Sequence, residues 1–328
     1  MRAATFLVAG AAGFIGSTLV DQLLTEGRDV VGLDNFESFY RRAAKERNLA
    51  RAMTSDRFRL AEVDTRDREG VQALIRDVRP SVIVDLAARA GVRDSLRDPW
   101  LYIDINVRGL QNLLSCAVEV EATVVFGSSS SVYGNDTPAP FRETSRDLRP
   151  VSPYGATKVA GEALVAAHHA TTGLPIRIAR LFTVYGPRQR PDLAVYKFAT
   201  AMHAGTPIPL YDNGAGKRDY TFVADIVDGI VRLADCDRDE LTVNLGSGHP
   251  YSTVDMVRLL EAAFELRSKV ELLPKQPGDV DATFADISRA RNELGWEPKT
   301  SLTDGLRMFR DWYLAEVAPQ RDQAPTLS

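Results

Sequence analysis

Short apolar runs alternate with longer mixed segments along the first half of the chain. The runs are "ATFLVAG", "DVVGLD", "FRLAEVD", "SVIVDLA", "ATVVFGS" and "PIRIARLF", and "LTVNLG" follows later. Most are continuously apolar rather than alternating, which is the pattern of strands covered on both faces. Between them, residues 14–26, 68–78, 102–119 and 154–172 carry a helical pattern. Such strand-helix alternation predicts an α/β fold, a doubly wound parallel sheet of Rossmann type. After Leu181 the pattern loosens into the loops "TVYGPRQRPD" and "DNGAGKRDY". The last third reads as mostly helical, a smaller region able to cap the carboxyl edge of the sheet. The final run "EVAPQRDQAPTLS" reads as a frayed tail over 316–328.

Composition narrows the class without changing that picture. The chain has 328 residues, enough for one or two domains with a full core. With 45% hydrophobic and 26% charged residues it reads as an ordinary soluble globular protein. A net charge of −4 gives no reason to expect a nucleic-acid or membrane partner. Cys116 and Cys236 are isolated, and His168, His169, His203 and His249 form no ligand pattern, so neither a disulfide framework nor a metal site is expected. The start "MRAATFLVAG" has no secretory signal pattern and no run is long enough to span a bilayer. The expected compartment is the cytoplasm.

Candidate chemistry begins at "GAAGFIG", which places Gly10, Gly13 and Gly16 between a strand and a helix. Gly10 permits a tight turn, Gly13 lets a pyrophosphate approach the backbone, and Gly16 lets helix and strand pack closely. The helix N-terminus then offers free N–H groups to the phosphates. Asp34 ends the next strand, where a carboxylate accepts adenosine ribose hydroxyls and repels a 2′-phosphate. This combination predicts a dinucleotide site with NAD favoured over NADP. Asp64 and Thr65, at the end of the third strand, are candidates to meet the adenine edge.

Further along, "SPYGATK" sets Tyr154 and Lys158 four residues apart on one helix face. A free tyrosine, with a pKa near ~10, is a poor base at neutral pH. A nearby ammonium and a positive nicotinamide ring favour the phenolate. Tyr154 could then remove a proton from an alcohol while hydride leaves its carbon, with Lys158 also holding the nicotinamide ribose.

With these residues in place the chain strongly resembles the extended short-chain dehydrogenase/reductases, the NAD-dependent epimerase/dehydratase family, and within it the UDP-glucuronate 4-epimerases. The resemblance runs from Thr5 to about Trp312 and is carried by "GAAGFIGSTLVD", "DLAARAGVRDS", "SSSSVYG", "VSPYGATK", "LFTVYGPRQRPD", "RDYTFVADIVDGI" and "QPGDVDATFADISRA". It implies that Gly10, Gly13, Phe14, Ile15 and Gly16 hold the pyrophosphate and that Asp34 and Asn35 hold the adenosine ribose. Leu86, Ala87 and Ala88 would line the dinucleotide groove, Asn106 would face the catalytic centre, and Phe182 would lie near the nicotinamide. Two departures stand out: Ala9 where threonine is usual, and Arg89 where glutamine or histidine is common.

The resemblance also gives a meaning to "GSSSSVYG". The family's catalytic hydroxyl lies four residues before the tyrosine of the Val-Tyr-Gly turn, here Ser129, completing a triad with Tyr154 and Lys158. Counting alone does not settle which serine meets the 4-hydroxyl. At the next two positions sugar 4,6-dehydratases carry an acid pair, whereas this chain has Ser130 and Ser131. Neutral hydroxyls disfavour elimination and suit hydrogen bonding to a substrate carboxylate. By resemblance Thr183 and Arg190 join them, and a guanidinium is itself a good carboxylate partner. Arg93 is a weaker candidate.

Pro209, Tyr211 and Arg218 resemble the UDP-binding edge. Gln276 stands where galactose-type epimerases more often place arginine, and Asp279 follows in the same stretch. The implied division is a Rossmann domain over 1–181 plus about 220–247, and a nucleotide-sugar domain over about 182–219 plus 248–315. The resemblance further implies a homodimer in which helices 102–119 and 154–172 of each subunit form a four-helix interface.

The expected activity is C4 epimerisation of UDP-glucuronate to UDP-galacturonate on tightly bound NAD. Alternatives are 4-epimerisation of a neutral UDP-sugar, a dehydratase or decarboxylase, and a non-catalytic NAD-binding sensor.

Overall fold

The computed structural model describes residues 5–145, 147–274 and 282–318. In chain order the first half contains β1 (Thr5–Ala9), α1 (Phe14–Thr25), β2 (Asp29–Asp34), α2 (Arg42–Leu49), β3 (Phe58–Glu62), α3 (Arg68–Val78), β4 (Val82–Asp85), α4 (Val92–Arg97), α5 (Pro99–Ile103), α6 (Gly109–Val120), β5 (Thr123–Ser129), α7 (Pro153–Thr172) and β6 (Ile176–Leu181). The second half contains β7 (Thr183–Tyr185), α8 (Ala194–Ala204), β8 (Pro207–Tyr211), β9 (Lys217–Phe222), α9 (Val223–Asp235), β10 (Glu240–Leu245), β11 (Pro250–Ser252), α10 (Thr253–Phe264), β12 (Lys269–Leu273), β13 (Ala282–Thr283), α11 (Ser288–Leu294) and α12 (Leu302–Glu316).

Seven parallel strands form the central sheet in the order β10-β6-β5-β4-β1-β2-β3. The seven apolar runs of the sequence supply these seven strands, confirming the doubly wound sheet. Alternate residues along each strand face opposite layers. Phe6 and Val8 join the core built on α1 and α9, whereas Leu7 and Ala9 join the one built on α3, α6 and α7. Away from the edge strand β3, where Arg59 and Glu62 are exposed, both faces are therefore dry, which explains why most runs show no polar alternation. The strand order reverses between β1 and β4, and the crevice at such a switch point is where doubly wound sheets bind ligands.

The helix expected over 102–119 is three joined pieces. Asp98 caps α5 by accepting the Leu101 N–H at 3.1 Å. A π-helical turn, Asp104–Arg108, then separates α5 from α6. Such a turn changes which side chains share a face.

The second lobe has its own core, in which Tyr185, Phe198, Tyr220, Phe222, Leu260, Phe309 and Tyr313 pack together. It also contains two small sheets, β11-β9-β13 with β7 beside β9, and β12-β8. Among the described residues no helix is long and apolar enough to cross a membrane.

Candidate active site

A cavity of about 450 Å³ opens at the switch point and is lined by the ends of β1, β2, β4 and β5 together with the start of α7. At one end lies the glycine turn. Gly10 has φ +78°, and a Cβ there would come 2.8 Å from Leu86 O. A Cβ on Gly16 would come 2.1 Å from Gly10 O, so the helix can approach the strand only without side chains. Helix α1 starts at Phe14 with no side-chain cap. Its first N–H groups therefore meet the cavity with no competing acceptor from a capping residue, and the cradle fits a dinucleotide diphosphate.

Asp34 is buried at the far wall. Its Oδ2 accepts the Ala12 N–H at 3.0 Å and its Oδ1 the Phe36 N–H at 2.8 Å, with Lys45 Nζ 3.4 Å away. A carboxylate has about four lone-pair directions, so capacity for a ribose hydroxyl remains. Asn35 and Asp64 line the same wall but are tied to each other: Asn35 Nδ2 donates to Asp64 Oδ2 at 2.7 Å. Arg66 forks onto Asp64 as well, and this hydrogen-bonded guanidinium holds the carboxyl down at about 2. Both residues are thus committed to protein partners and shape the wall. Thr65, Leu86, Ala87 and Ala88 complete it.

At the other end stand Ser129, Ser130, Ser131, Tyr154 and Lys158. Helix α7 begins where Ser152 Oγ accepts the Gly155 N–H at 3.1 Å, with Pro153 in the first turn. Tyr154 therefore sits at the open end of the helix, edge-on to Tyr102 with ring centroids 6.3 Å apart. Lys158 is 4% exposed and donates to Gly127 O at 2.7 Å. It lies 4.8 Å over the Phe126 ring. The lysine is thus pinned to the strand that ends in Ser129.

The four serines divide the work. Ser128 Oγ donates to Glu162 at 2.5 Å, buried beneath the sheet edge. Ser129 Oγ accepts the Ser131 N–H at 3.2 Å and makes a 3.2 Å hydroxyl contact with Ser131. That bond shapes the single turn carrying Ser130 and Ser131.

Glu162 leads to a buried network that sequence reasoning missed. Arg180 forks onto it at 2.9 and 2.7 Å and donates to Tyr133 Oη at 3.0 Å. Tyr133 in turn donates to Asn244 Oδ1 at 2.6 Å. Glu162 lies one helical step of four beyond Lys158, so the Tyr154–Lys158 spacing itself pointed to it.

Asp85 is a second missed group. It ends β4 beside Phe126, on the face that packs against α7. Burial pushes its carboxyl up to about 6, opposed by the Lys158 charge and the Ala87 N–H. Because the folded-state value lies above the unfolded one, this group contributes stability that is fully present below pH ~4 and lost as pH rises through about 6, on the order of 3 kcal/mol. Asp85→Asn keeps an acceptor for Ala87 and is expected to flatten the pH dependence of Tm over that window. An unaltered slope would show that Asp85 does not titrate there.

Thr183 and Arg190 line the cavity, as does Phe182, which also packs against Tyr133 and Phe141. Arg190 forks onto Asp192 at 2.9 and 2.8 Å through Nε and Nη2, leaving Nη1 for a ligand. Asn106 is buried between the cavity wall and the turn that carries Tyr154. The π-helical turn directs it to the Arg89 main chain at 2.8 and 3.0 Å and to Thr157 Oγ1 at 3.0 Å. Arg93, Pro209, Tyr211 and Arg218 also stand outside the lining, in or beside the second lobe. Arg93 lies 4.9 Å over the Tyr211 ring. Gln276 and Asp279 lie outside the described residues.

A glycine cradle, an acid at the end of β2 and a Ser-Tyr-Lys cluster in one crevice describe a dinucleotide-linked alcohol chemistry. In agreement, the family model described as GDP-mannose 4,6 dehydratase matches residues 7–309. The chain belongs to that family. Relatives within the GDP-mannose 4,6-dehydratase family include a UDP-glucuronate 4-epimerase of Thermodesulfobacterium geofontis, 36% identical over 309 residues, covering 94% of this chain and 95% of the relative. A crystal structure of the UDP-glucuronic acid 4-epimerase of Bacillus cereus with UDP-glucuronic acid and NAD is 34% identical, with a TM-score of 0.88 over 95% of this chain and 99% of that one. A UDP-glucose 4-epimerase of Thermotoga maritima, solved with UDP-glucose, is 29% identical with a TM-score of 0.87, covering 95% and 99%. The family's named dehydratase activity and these epimerases thus share one fold.

Proposed function

We propose that this protein is an NAD-dependent UDP-sugar 4-epimerase that interconverts UDP-glucuronate and UDP-galacturonate. The observation that carries the reading is the pair Ser130–Ser131 in the cavity beside Tyr154, with Thr183 and Arg190 lining the same cavity. NAD, when bound, accepts the C4 hydride and returns it. Tyr154 takes the proton of the 4-hydroxyl as that bond to hydrogen breaks, and gives it back when the ketone is reduced on its other face. Ser129 hydrogen-bonds the reacting oxygen, and Lys158, fixed to Gly127 O, holds the nicotinamide ribose near Tyr154.

The transient 4-keto acid has its carboxylate β to the ketone and so loses carbon dioxide readily. An epimerase must hold that carboxylate without aligning its C–C bond with the carbonyl π system. Two neutral hydroxyls, Thr183 and the free Nη1 of Arg190 suit this role. The absence of a carboxylate at 130 and 131 also weighs against elimination.

The Rossmann part, 1–181 with about 220–247, would bind NAD. The second lobe, with Pro209, Tyr211, Arg218, Gln276 and Asp279, would bind the UDP moiety. A cytoplasmic homodimer pairing α6 and α7 of each subunit completes the reading, and a monomeric mass in sedimentation would reject that assembly. Incubation with UDP-glucuronate, without added NAD, followed by proton NMR is expected to yield UDP-galacturonate. Release of carbon dioxide and a pentose, or turnover of UDP-glucose alone, would withdraw the carboxylate role of Ser130, Ser131 and Arg190.

A further inference from the structure

Arg89 follows β4 on the cavity wall, and the epimerisation outlined above makes no use of it. Its main chain is fixed on both sides by Asn106, which accepts the Arg89 N–H at 2.8 Å and donates to its carbonyl at 3.0 Å. Asn106 also donates to Thr157 Oγ1, and Thr157 donates to the carbonyl of Tyr154 at 2.7 Å. Arg89 is thus linked through three hydrogen bonds to the helix turn that carries Tyr154.

The guanidinium is held as firmly. Nη1 donates to Glu37 Oε1 at 2.6 Å, and the group lies 4.5 Å over the Phe39 ring. The guanidinium also neighbours the Tyr102 hydroxyl, yet Nε is buried and makes no hydrogen bond among the described residues. An unpaired buried N–H on a charged group is costly, and this one belongs to a side chain that lines the cavity. An acceptor brought by a ligand would satisfy it.

The fixed fork of a guanidinium selects oxyanions. Arg190 lies 5.2 Å from the same Phe39 ring, so two cations neighbour one aromatic ring. Each is anchored by its own acid, Arg89 by Glu37 and Arg190 by Asp192, so the two can serve two different anionic groups. If Arg190 serves the sugar carboxylate, the remaining anions in a nucleotide-filled cavity are diphosphates. Resting on the sugar-nucleotide reading, we propose that Arg89 binds a diphosphate oxygen of a nucleotide through Nε, with Glu37 and Phe39 holding the guanidinium in place.

Both the dinucleotide and the sugar nucleotide carry that group, and binding measurements on the purified holoenzyme separate them. Arg89→Gln is compared with the unsubstituted protein for NAD retained through gel filtration, and for calorimetric titration with UDP and with UMP. Loss of one charge-assisted bond is expected to change one arm by about tenfold or more. Faster NAD loss identifies the cofactor diphosphate. Weaker UDP binding with UMP binding kept within about twofold identifies the substrate diphosphate. No change in either arm, or equal weakening of UDP and UMP, would overturn the proposal. Arg89→Lys keeps a cation without Nε and is expected to recover part of the binding, and it carries the comparison should the glutamine variant unfold. An unsubstituted protein without bound NAD would count against the dinucleotide reading itself, leaving the UDP arm as the test of Arg89.

Discussion

Tyr154→Phe is expected to lower kcat for epimerisation by about 10³-fold, within the usual range for loss of a positioned acid-base group. The substitution removes one oxygen and keeps the ring, so the edge contact with Tyr102, at 6.3 Å between centroids, survives. Lys158 keeps its bond to Gly127 O, and the glycine cradle is far along the cavity. NAD content and Tm should therefore stay as they are, and the loss should fall on kcat rather than KM. Proton NMR of UDP-glucuronate turnover and absorbance of released dinucleotide measure the two quantities. A phenylalanine variant with full turnover would remove Tyr154 from the chemistry and revive the view of the chain as an NAD-binding sensor.

The second large effect is on stability. Arg180→Met strands Glu162, which keeps Ser128 but loses its cation, and removes the donor to Tyr133 Oη. Leaving one member of a buried pair uncompensated costs about 3–5 kcal/mol, equivalent to a fall in Tm of roughly 10 °C in a chain of this size. Replacing both members by apolar residues, as in Arg180→Met with Glu162→Leu, should recover much of the loss, because two buried charges are then removed together. Since Glu162 lies on α7 and Ser128 on β5, the single variant should also lose turnover. Thermal melting of the single and double variants checks the pairing. A fall below about 1 kcal/mol in the single variant would show that the pair does not hold α7 against the sheet.

The parts of the molecule legible in the sequence are those where burial is complete. Six of the seven sheet strands could be found because their faces are largely dry, the edge strand β3 from its apolar run despite exposed Arg59 and Glu62, and α3 because its apolar face is strong. The second lobe was harder to read because β7, β11 and β13 are only two or three residues long and partly exposed, so no period can develop. Within the site, the glycine turn, Asp34, Tyr154 and Lys158 were found from spacing and the serine run from the family resemblance, and all of them line one cavity. The partners that occupy them were not legible. Glu162 on Ser128 is a tertiary pairing 34 residues apart, for which a single sequence gives no distance, whereas Asp192 on Arg190 and Arg66 on Asp64 are pairs two residues apart whose side-chain directions depend on loop geometry. The π-helical turn that carries Asn106 was not legible either, because it breaks the regular helical period expected over 102–119.

The turn after β5 separates frame from reagent. Ser128 is bound to Glu162, and Ser129 fixes the backbone of Ser131, whereas among the described residues the Ser130 side chain makes no hydrogen bond and that of Ser131 meets only the Ser129 hydroxyl. Positions 130 and 131 are therefore an exchangeable cartridge. Libraries aimed at new sugar chemistry on this scaffold should vary those two side chains and keep the two serines before them, because Ser128 and Ser129 hold the turn and Ser129 also meets the reacting oxygen, while the second pair only sets what the sugar's far end encounters.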